Sequence, residues 1–276
     1  MNTGEIYLYC LAFPECIPII DDMPERGIHG VDETQLISFL KQDGIVAVIG
    51  PATSSEFTEK NLGDLNWVGV RALRHEKVVE AIMENSPVMP VRFGTLFHSQ
   101  STLSLFLHRH SKVISRILNA LQGKAEWSIK GYLEMDSASR KIAAENAEIQ
   151  AGFANLSSSP GMRYLQQKKL DSIVKSKMSS WIDCLILDVN AAISASTLGM
   201  VELRMPVVSV PGERMIFHRS FLVSNQSLAN FRVLVDEQTV LHAEEGLRLE
   251  LQGPWPSHNF CPDLLDGDLA TLEMLV

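Results

Sequence analysis

Basic residues are missing from the start of this 276-residue chain: none occurs before Arg26, and Glu5 precedes the first apolar run. The charged opening of a secretory signal is therefore absent, and the chain is expected to remain soluble in the cytoplasm. Long uncharged apolar runs are lacking too. The longest weakly charged stretch, residues 93–108, is interrupted by Thr95, His98, Ser99, Gln100, Ser101 and Thr102, so no transmembrane helix is expected. Cysteine is sparse. Cys10, Cys16, Cys184 and Cys261 show no CxxC or paired metal spacing, which excludes a disulfide framework or zinc ribbon and leaves reduced core or surface residues. Positive charge is outnumbered, 24 Lys and Arg against 33 Asp and Glu, and the formal charge of −9 opposes non-specific attraction to nucleic acid or anionic lipid.

The loops of nucleotide and acyl chemistry are also missing. No GxSxG elbow, Walker lysine loop or GxGxxG turn after a strand occurs. His75-Glu76-Lys77-Val78-Val79 begins like a zinc-protease helix, but that site needs a second histidine four residues after the first, and position 79 is valine. His75 is expected to pack with Val79 at the edge of an apolar stripe and to hydrogen-bond locally. His108 and His110, two residues apart on a helical pattern, point in different directions and read as solvated. No catalytic residue, cofactor or metal site is assigned.

What is present is apolar material for two ordinary cores: 46% of residues are hydrophobic and 21% charged. Residues 6–11 and 45–49 are compact apolar runs that predict buried strands, and residues 32–41 predict a short helix from the spacing of Leu36, Ile37 and Leu40. An amphipathic helix over 72–86, closed by Pro87, a strand over 88–93, a helix over 103–121 and a strand over 126–134 follow. Interleaved in this order, they predict a ferredoxin-like domain over residues 1–136, with helices on one face of a four-stranded sheet.

Composition changes after Asp136. Residues 137–155 and a pattern running from Leu165 to Ala192, joined by a Ser-Pro-Gly turn, predict a long helical hairpin. Strands over 202–210 and 215–223, a helix over 227–241 and an alternating strand over 247–251 complete a second domain, residues 137–276, ending in an acidic tail. The fold class is therefore α+β in two domains, the second a long helical hairpin with a small antiparallel sheet.

The partner-binding candidates follow from strand alternation. Residues 88–93 as a strand place Arg92 opposite Met89, Val91 and Phe93, on the open sheet face with either Tyr7 and Tyr9 or Ser128, Lys130 and Tyr132. Rings and cations on an open sheet also suggest a single-stranded RNA platform, the alternative function. Net acidity and the absence of an RNP-type run oppose it. Gly253-Pro254-Trp255-Pro256 holds Trp255 in a stiff extended frame, either as a plug buried beside the last strand or as an interface anchor. The cluster Arg163, Lys168, Lys169, Lys175 and Lys177 reads as a solvated helix face, with a docking surface for an acidic partner as the alternative.

Several runs appear together in order: Ile6-Tyr7-Leu8-Tyr9, Arg74-His75-Glu76-Lys77-Val78-Val79, Pro90-Val91-Arg92-Phe93-Gly94-Thr95, Glu126-Trp127-Ser128-Ile129-Lys130-Gly131, Gly161-Met162-Arg163-Tyr164-Leu165 and Gly253-Pro254-Trp255-Pro256. On these runs the chain resembles the gas vesicle protein GvpL/GvpF family. It departs at Ser257-His258-Asn259-Phe260, where family members commonly carry a further proline or small residue and then tyrosine. The resemblance implies a non-enzymatic accessory protein of gas vesicle assembly, associated with the vesicle. Its implied partners are the small, apolar major shell protein and other accessory proteins, with no nucleic acid and no membrane.

Overall fold

The structure, a computed structural model, describes residues 5–53, 55–205, 212–262 and Leu264. These form two compact units. One draws on Met1–Glu126 and Pro254–Val276, the other on Trp127–Gly253. The grouping differs from a single cut at residue 136, because the segment from Pro254 returns to the first unit.

The first unit contains β1 (Ile6–Ala12), α1 (Ile17–Asp22), β2 (Ser38–Gln42), β3 (Ile45–Pro51), α2 (Glu59–Leu62), α3 (Leu65–Met83), β4 (Val88–Pro90), β5 (Leu96–Phe97) and α4 (Gln100–Leu121). Its sheet runs in the order β2-β3-β1-β4, with β5 also paired to β1, and every pairing is antiparallel. All seven residues of β1 are buried, as are the first six of β3. A bulge between Leu8 and Cys10 shifts the alternation, so Tyr7 and Tyr9, then Cys10 and Ala12, serve one core with Val46 and Val48. That core is completed by Val78, Val79 and Ile82 of α3. Leu8, Leu11, Ala47 and Ile49 alternate to the opposite face and are equally buried. There α4 lies across the strands, with Leu103, Leu107, Ile114 and Leu118 on its buried stripe.

Helices thus cover both faces of the sheet, which corrects the expectation of helices on one face only. Near-continuous apolar runs such as Ile45-Val46-Ala47-Val48-Ile49 are what two covered faces require. Two element assignments change with it. Residues 38–42 form strand β2 where a helix over 32–41 was expected, because Asp43 (φ 49°) and Gly44 (φ 79°) make a tight Asp-Gly hairpin turn into β3. The strand expected over 126–134 belongs to the other sheet.

That sheet is in the second unit, in the order β7-β8-β6-β9: β6 (Lys124–Glu134), β7 (Gly199–Glu202), β8 (Glu213–Ser224) and β9 (Leu247–Trp255). Of the strand expected over 202–210 only Glu202 falls in a strand, as the last residue of β7; residues 203–205 are irregular, and residues 206–210 lie outside the described residues, as does most of the acidic tail. The helices are α5 (Met135–Glu145), α6 (Ala147–Ala154), α7 (Pro160–Ser194) and α8 (Leu228–Leu241). The hairpin's first arm is two helices, not one: Asn146 leaves helical geometry (φ −109°, ψ 108°) and its side chain accepts a bond from the Ile149 N–H at 3.1 Å, restarting the chain as α6. The second arm, α7, has 35 residues, about 52 Å at 1.5 Å per residue.

In β6, Gly131 lies under the ring of Phe217 from β8 so closely that a β-carbon would overlap the ring. Gly131→Ala is therefore expected to destabilise the second unit by about 1–3 kcal/mol through overpacking. A thermal or urea midpoint unchanged from the parent would refute this.

Candidate functional site

Three consecutive residues of α3 hold three distant segments of the first unit. The helix begins where the Asp64 side chain accepts a bond from the Asn66 N–H (2.9 Å), and its last turns bury Val78, Val79 and Ile82. On that frame Arg74 forms an ion pair with Glu33 of the loop before β2. His75 turns into the core, and Glu76 receives His258 Nε2 at 3.0 and 3.1 Å.

His75 Nδ1 lies 2.9 Å from the Tyr7 hydroxyl, which also accepts the Gly94 N–H at 3.0 Å. The phenol oxygen accepts from Gly94 and shares one further proton with Nδ1. Burial pushes the His75 pKa down from 6.5 to about 4, against the smaller opposing effect of Glu76 and the Val91 backbone. Burial likewise raises the Tyr7 phenol well above its ordinary range, and raises Tyr9 to about 12. Tyr9 accepts the Val31 N–H at 2.8 Å. Around these groups the rings close up: Tyr7 and Tyr9 at 4.7 Å between centroids, Tyr7 and Phe57 at 5.5 Å, His75 and Phe93 at 6.1 Å.

Pro90-Val91-Arg92-Phe93-Gly94-Thr95 is the loop that closes this cluster. The strand stops at Pro90. Gly94 takes φ 87°, and the Thr95 hydroxyl donates to the Arg92 carbonyl at 2.7 Å. The Leu8 N–H then bonds to the Thr95 carbonyl at 3.0 Å. Arg92 is accordingly an exposed turn residue and not a strand residue.

The C-terminal segment is secured at a second point. Asn259 donates its backbone N–H to Glu126 Oε2 at 2.9 Å and its side-chain amide to Oε1, and Phe260 is buried behind it. Burial alone would raise the Glu76 carboxyl, but the His258 hydrogen bond and charge outweigh it and hold the group below its ordinary value. Replacing Asn259 with alanine is expected to accelerate amide exchange from residue 257 to 261 at least tenfold, leaving β1 and β3 protected. Uniform exchange across the unit would show that the segment is not separately held.

The sequence-derived candidates do not gather on one surface. Tyr7 and Tyr9 are fully buried beneath α3, which removes the open ring-bearing face on which an RNA platform depends. Lys130 and Tyr132 belong to β6 in the second unit, where Lys130 donates to Gln252 at 3.1 Å and Tyr132 lies under Arg248 at 4.3 Å. Trp255, at the end of β9, is half-buried, neither the fully buried plug nor a fully exposed anchor. Sequence reasoning missed the partners Tyr7–His75 and Glu76–His258; they are 68 and 182 residues apart, and no local pattern reports such pairs. Among the described residues no group of His, Cys, Asp and Glu is placed to hold a metal ion, and no helix is long and apolar enough to cross a membrane.

Two antiparallel sheets packed with helices define a mixed helix-and-sheet protein. The model of the family described as gas vesicle synthesis protein GvpL/GvpF matches residues 5–262, and the chain belongs to this family. It is 26% identical to gas vesicle protein L of Streptomyces sp. (strain CB03234) over 94% of both chains, and 22% identical to gas vesicle protein L2 of Halobacterium salinarum over 94% of this chain and 91% of that one. Its fold is similar to the crystal structure of GvpF from Anabaena sp. PCC7120, with a TM-score of 0.65 at 18% identity over 92% of this chain and 97% of that one. GvpF from Microcystis aeruginosa gives 0.61 at 18% identity over 94% and 99%. Family membership ties the protein to gas vesicle formation.

Proposed function

We propose that the protein is a non-enzymatic accessory factor of gas vesicle assembly that acts in the cytoplasm and at the vesicle, binding the major shell protein and other vesicle proteins. The observation that carries this reading is the family match over residues 5–262. A physical rationale supports it: subunits that polymerise through strand edges and apolar faces are prone to aggregate before assembly, and a partner that covers them keeps them deliverable. Exposed apolar side chains on this chain, among them Leu65, Leu73 and Val240, offer complementary contacts. We read the first unit as ferredoxin-like in type, supported by its antiparallel order β2-β3-β1-β4 with α3 crossing between β3 and β4. Deleting the gene in its host is expected to abolish or sharply reduce gas vesicles, with recovery on complementation. Vesicles of normal number and shape in the deletion strain would refute the assignment.

A further inference from the structure

Among the described residues of the first unit, β2 ends the sheet, with β3 as its strand neighbour on one side. Alternate residues of an antiparallel edge strand aim both N–H and C=O outward, so β2 offers a row of main-chain donors and acceptors. Beside that edge runs a groove of about 490 Å³ between β2 and α4, lined by Leu40 and Gln42 on the strand and by Gln100, Ser104, Leu105 and His108 on the helix. Leu105 is 67% exposed and faces Leu40 across the groove. An edge strand with a helix alongside is the geometry in which an extended peptide adds a strand: the main chain supplies affinity and alternate side chains enter the groove.

Charge specifies the peptide. Residues 85–125 contain no Asp or Glu, although the whole chain carries −9, and they hold Arg92, Arg109, Lys112, Arg116 and Lys124. Lys112 lies one turn beyond His108 on the groove side of α4, and Arg109, Lys112 and Arg116 are all exposed. Asp43, the carboxylate at the end of β2, is bonded to His108 Nδ1 at 2.7 Å. An apolar slot at Leu40 and Leu105, followed along the helix by cations, is complementary to an extended segment that alternates apolar and acidic residues.

We infer that the β2 edge and the adjoining face of α4 form a docking site for an acidic, extended segment of a partner protein, bound by strand addition. The site resides in one unit and holds whether or not the shell subunit is the partner.

The test uses the full chain and a synthetic octapeptide of alternating valine and glutamate, followed by fluorescence anisotropy. Controls are the same peptide with lysine for glutamate and the same peptide N-methylated along its backbone. The glutamate peptide is expected to bind at least tenfold more tightly than either control, and more weakly as salt rises. Lys112→Glu combined with Arg116→Glu, both at exposed positions, is expected to reduce its affinity at least tenfold while the circular dichroism spectrum is retained. Leu105→Asp provides an independent variant with the same expected loss. Equal binding of the lysine peptide, undiminished binding after N-methylation, unaffected variants or no saturable binding would each overturn the site. A concentration-dependent dimer that excludes the peptide would assign the edge to a second copy of the chain and overturn it as well.

Discussion

Tyr9→Ala is expected to destabilise the first unit by about 3–5 kcal/mol, the range for deleting a buried aromatic ring. Tyr9 sits at the centre of the sheet, its ring against Gly50 and its hydroxyl at Gly30, where a β-carbon on either glycine would press on it. Removing the ring leaves a cavity bounded by β1, β3 and α3, and deprives the Val31 N–H of its acceptor. Against a typical total stability of about 5–15 kcal/mol, a loss of this size leaves the unit marginal or unfolded at growth temperature. Tyr9→Phe separates the two contributions: it keeps the ring and orphans the Val31 N–H, for an expected loss of about 1–3 kcal/mol. Calorimetry of the three proteins checks the order, and an alanine variant as stable as the phenylalanine variant would show that the ring is not a core element.

Mild acid is expected to destabilise the protein through His75. The folded pKa is about 4 against 6.5 for the exposed side chain. Between those values the unfolded chain binds a proton that the folded chain refuses, so stability rises with pH across the window and falls as pH drops through it. Stability is undiminished above pH 6.5, and roughly 3 kcal/mol of it is lost by pH 4. Protonation makes Nδ1 a donor to the Tyr7 oxygen, so the cost lies in placing the charge in a buried, ring-lined site and not in losing that bond. His75→Gln removes the titrating group. Urea midpoints measured from pH 4 to 7 should flatten in the variant relative to the parent, whereas an identical pH slope in both would place the acid sensitivity elsewhere.

The elements legible in the sequence were those whose pattern is local. β1 and β3 were visible as apolar runs, α3, α4, α7 and α8 as 3.6-residue periodicity, and the first part of β9 as strict alternation of Leu247, Leu249 and Leu251 with polar residues. β2 is hidden because an edge strand is half exposed, and Leu36, Ile37 and Leu40 happen to fall at helical spacing; the Asp43-Gly44 turn is the local signal that the helical reading passed over. Assigning β6 to the first sheet failed for another reason: sheet membership is set by pairing between residues far apart, and alternation in one strand does not name its neighbour. The same limit applied to the motif residues. Arg74-His75-Glu76 could be singled out in sequence, but only the fold shows three adjacent side chains reaching the Glu33 loop, β1 and the C-terminal segment. Strand alternation alone leaves open whether Tyr7 and Tyr9 or Ser128, Lys130 and Tyr132 share the open face; the fold places Tyr7 and Tyr9 beneath α3 as core groups.

The residues of Arg74-His75-Glu76 and of Tyr7 and Tyr9 therefore serve the scaffold of this chain, and the proposed partner binding rests on its surface. Arg92 and Trp255 remain candidates there, one exposed in its turn and one half-buried at the end of β9. The most direct test of the central claim is capture of the purified major shell protein by the immobilised full chain, compared with folded Arg92→Ala and Trp255→Ala variants. Retention of the shell protein by the parent chain, reduced in at least one variant, is the predicted result; no retention of the shell protein or of any other vesicle component would contradict it.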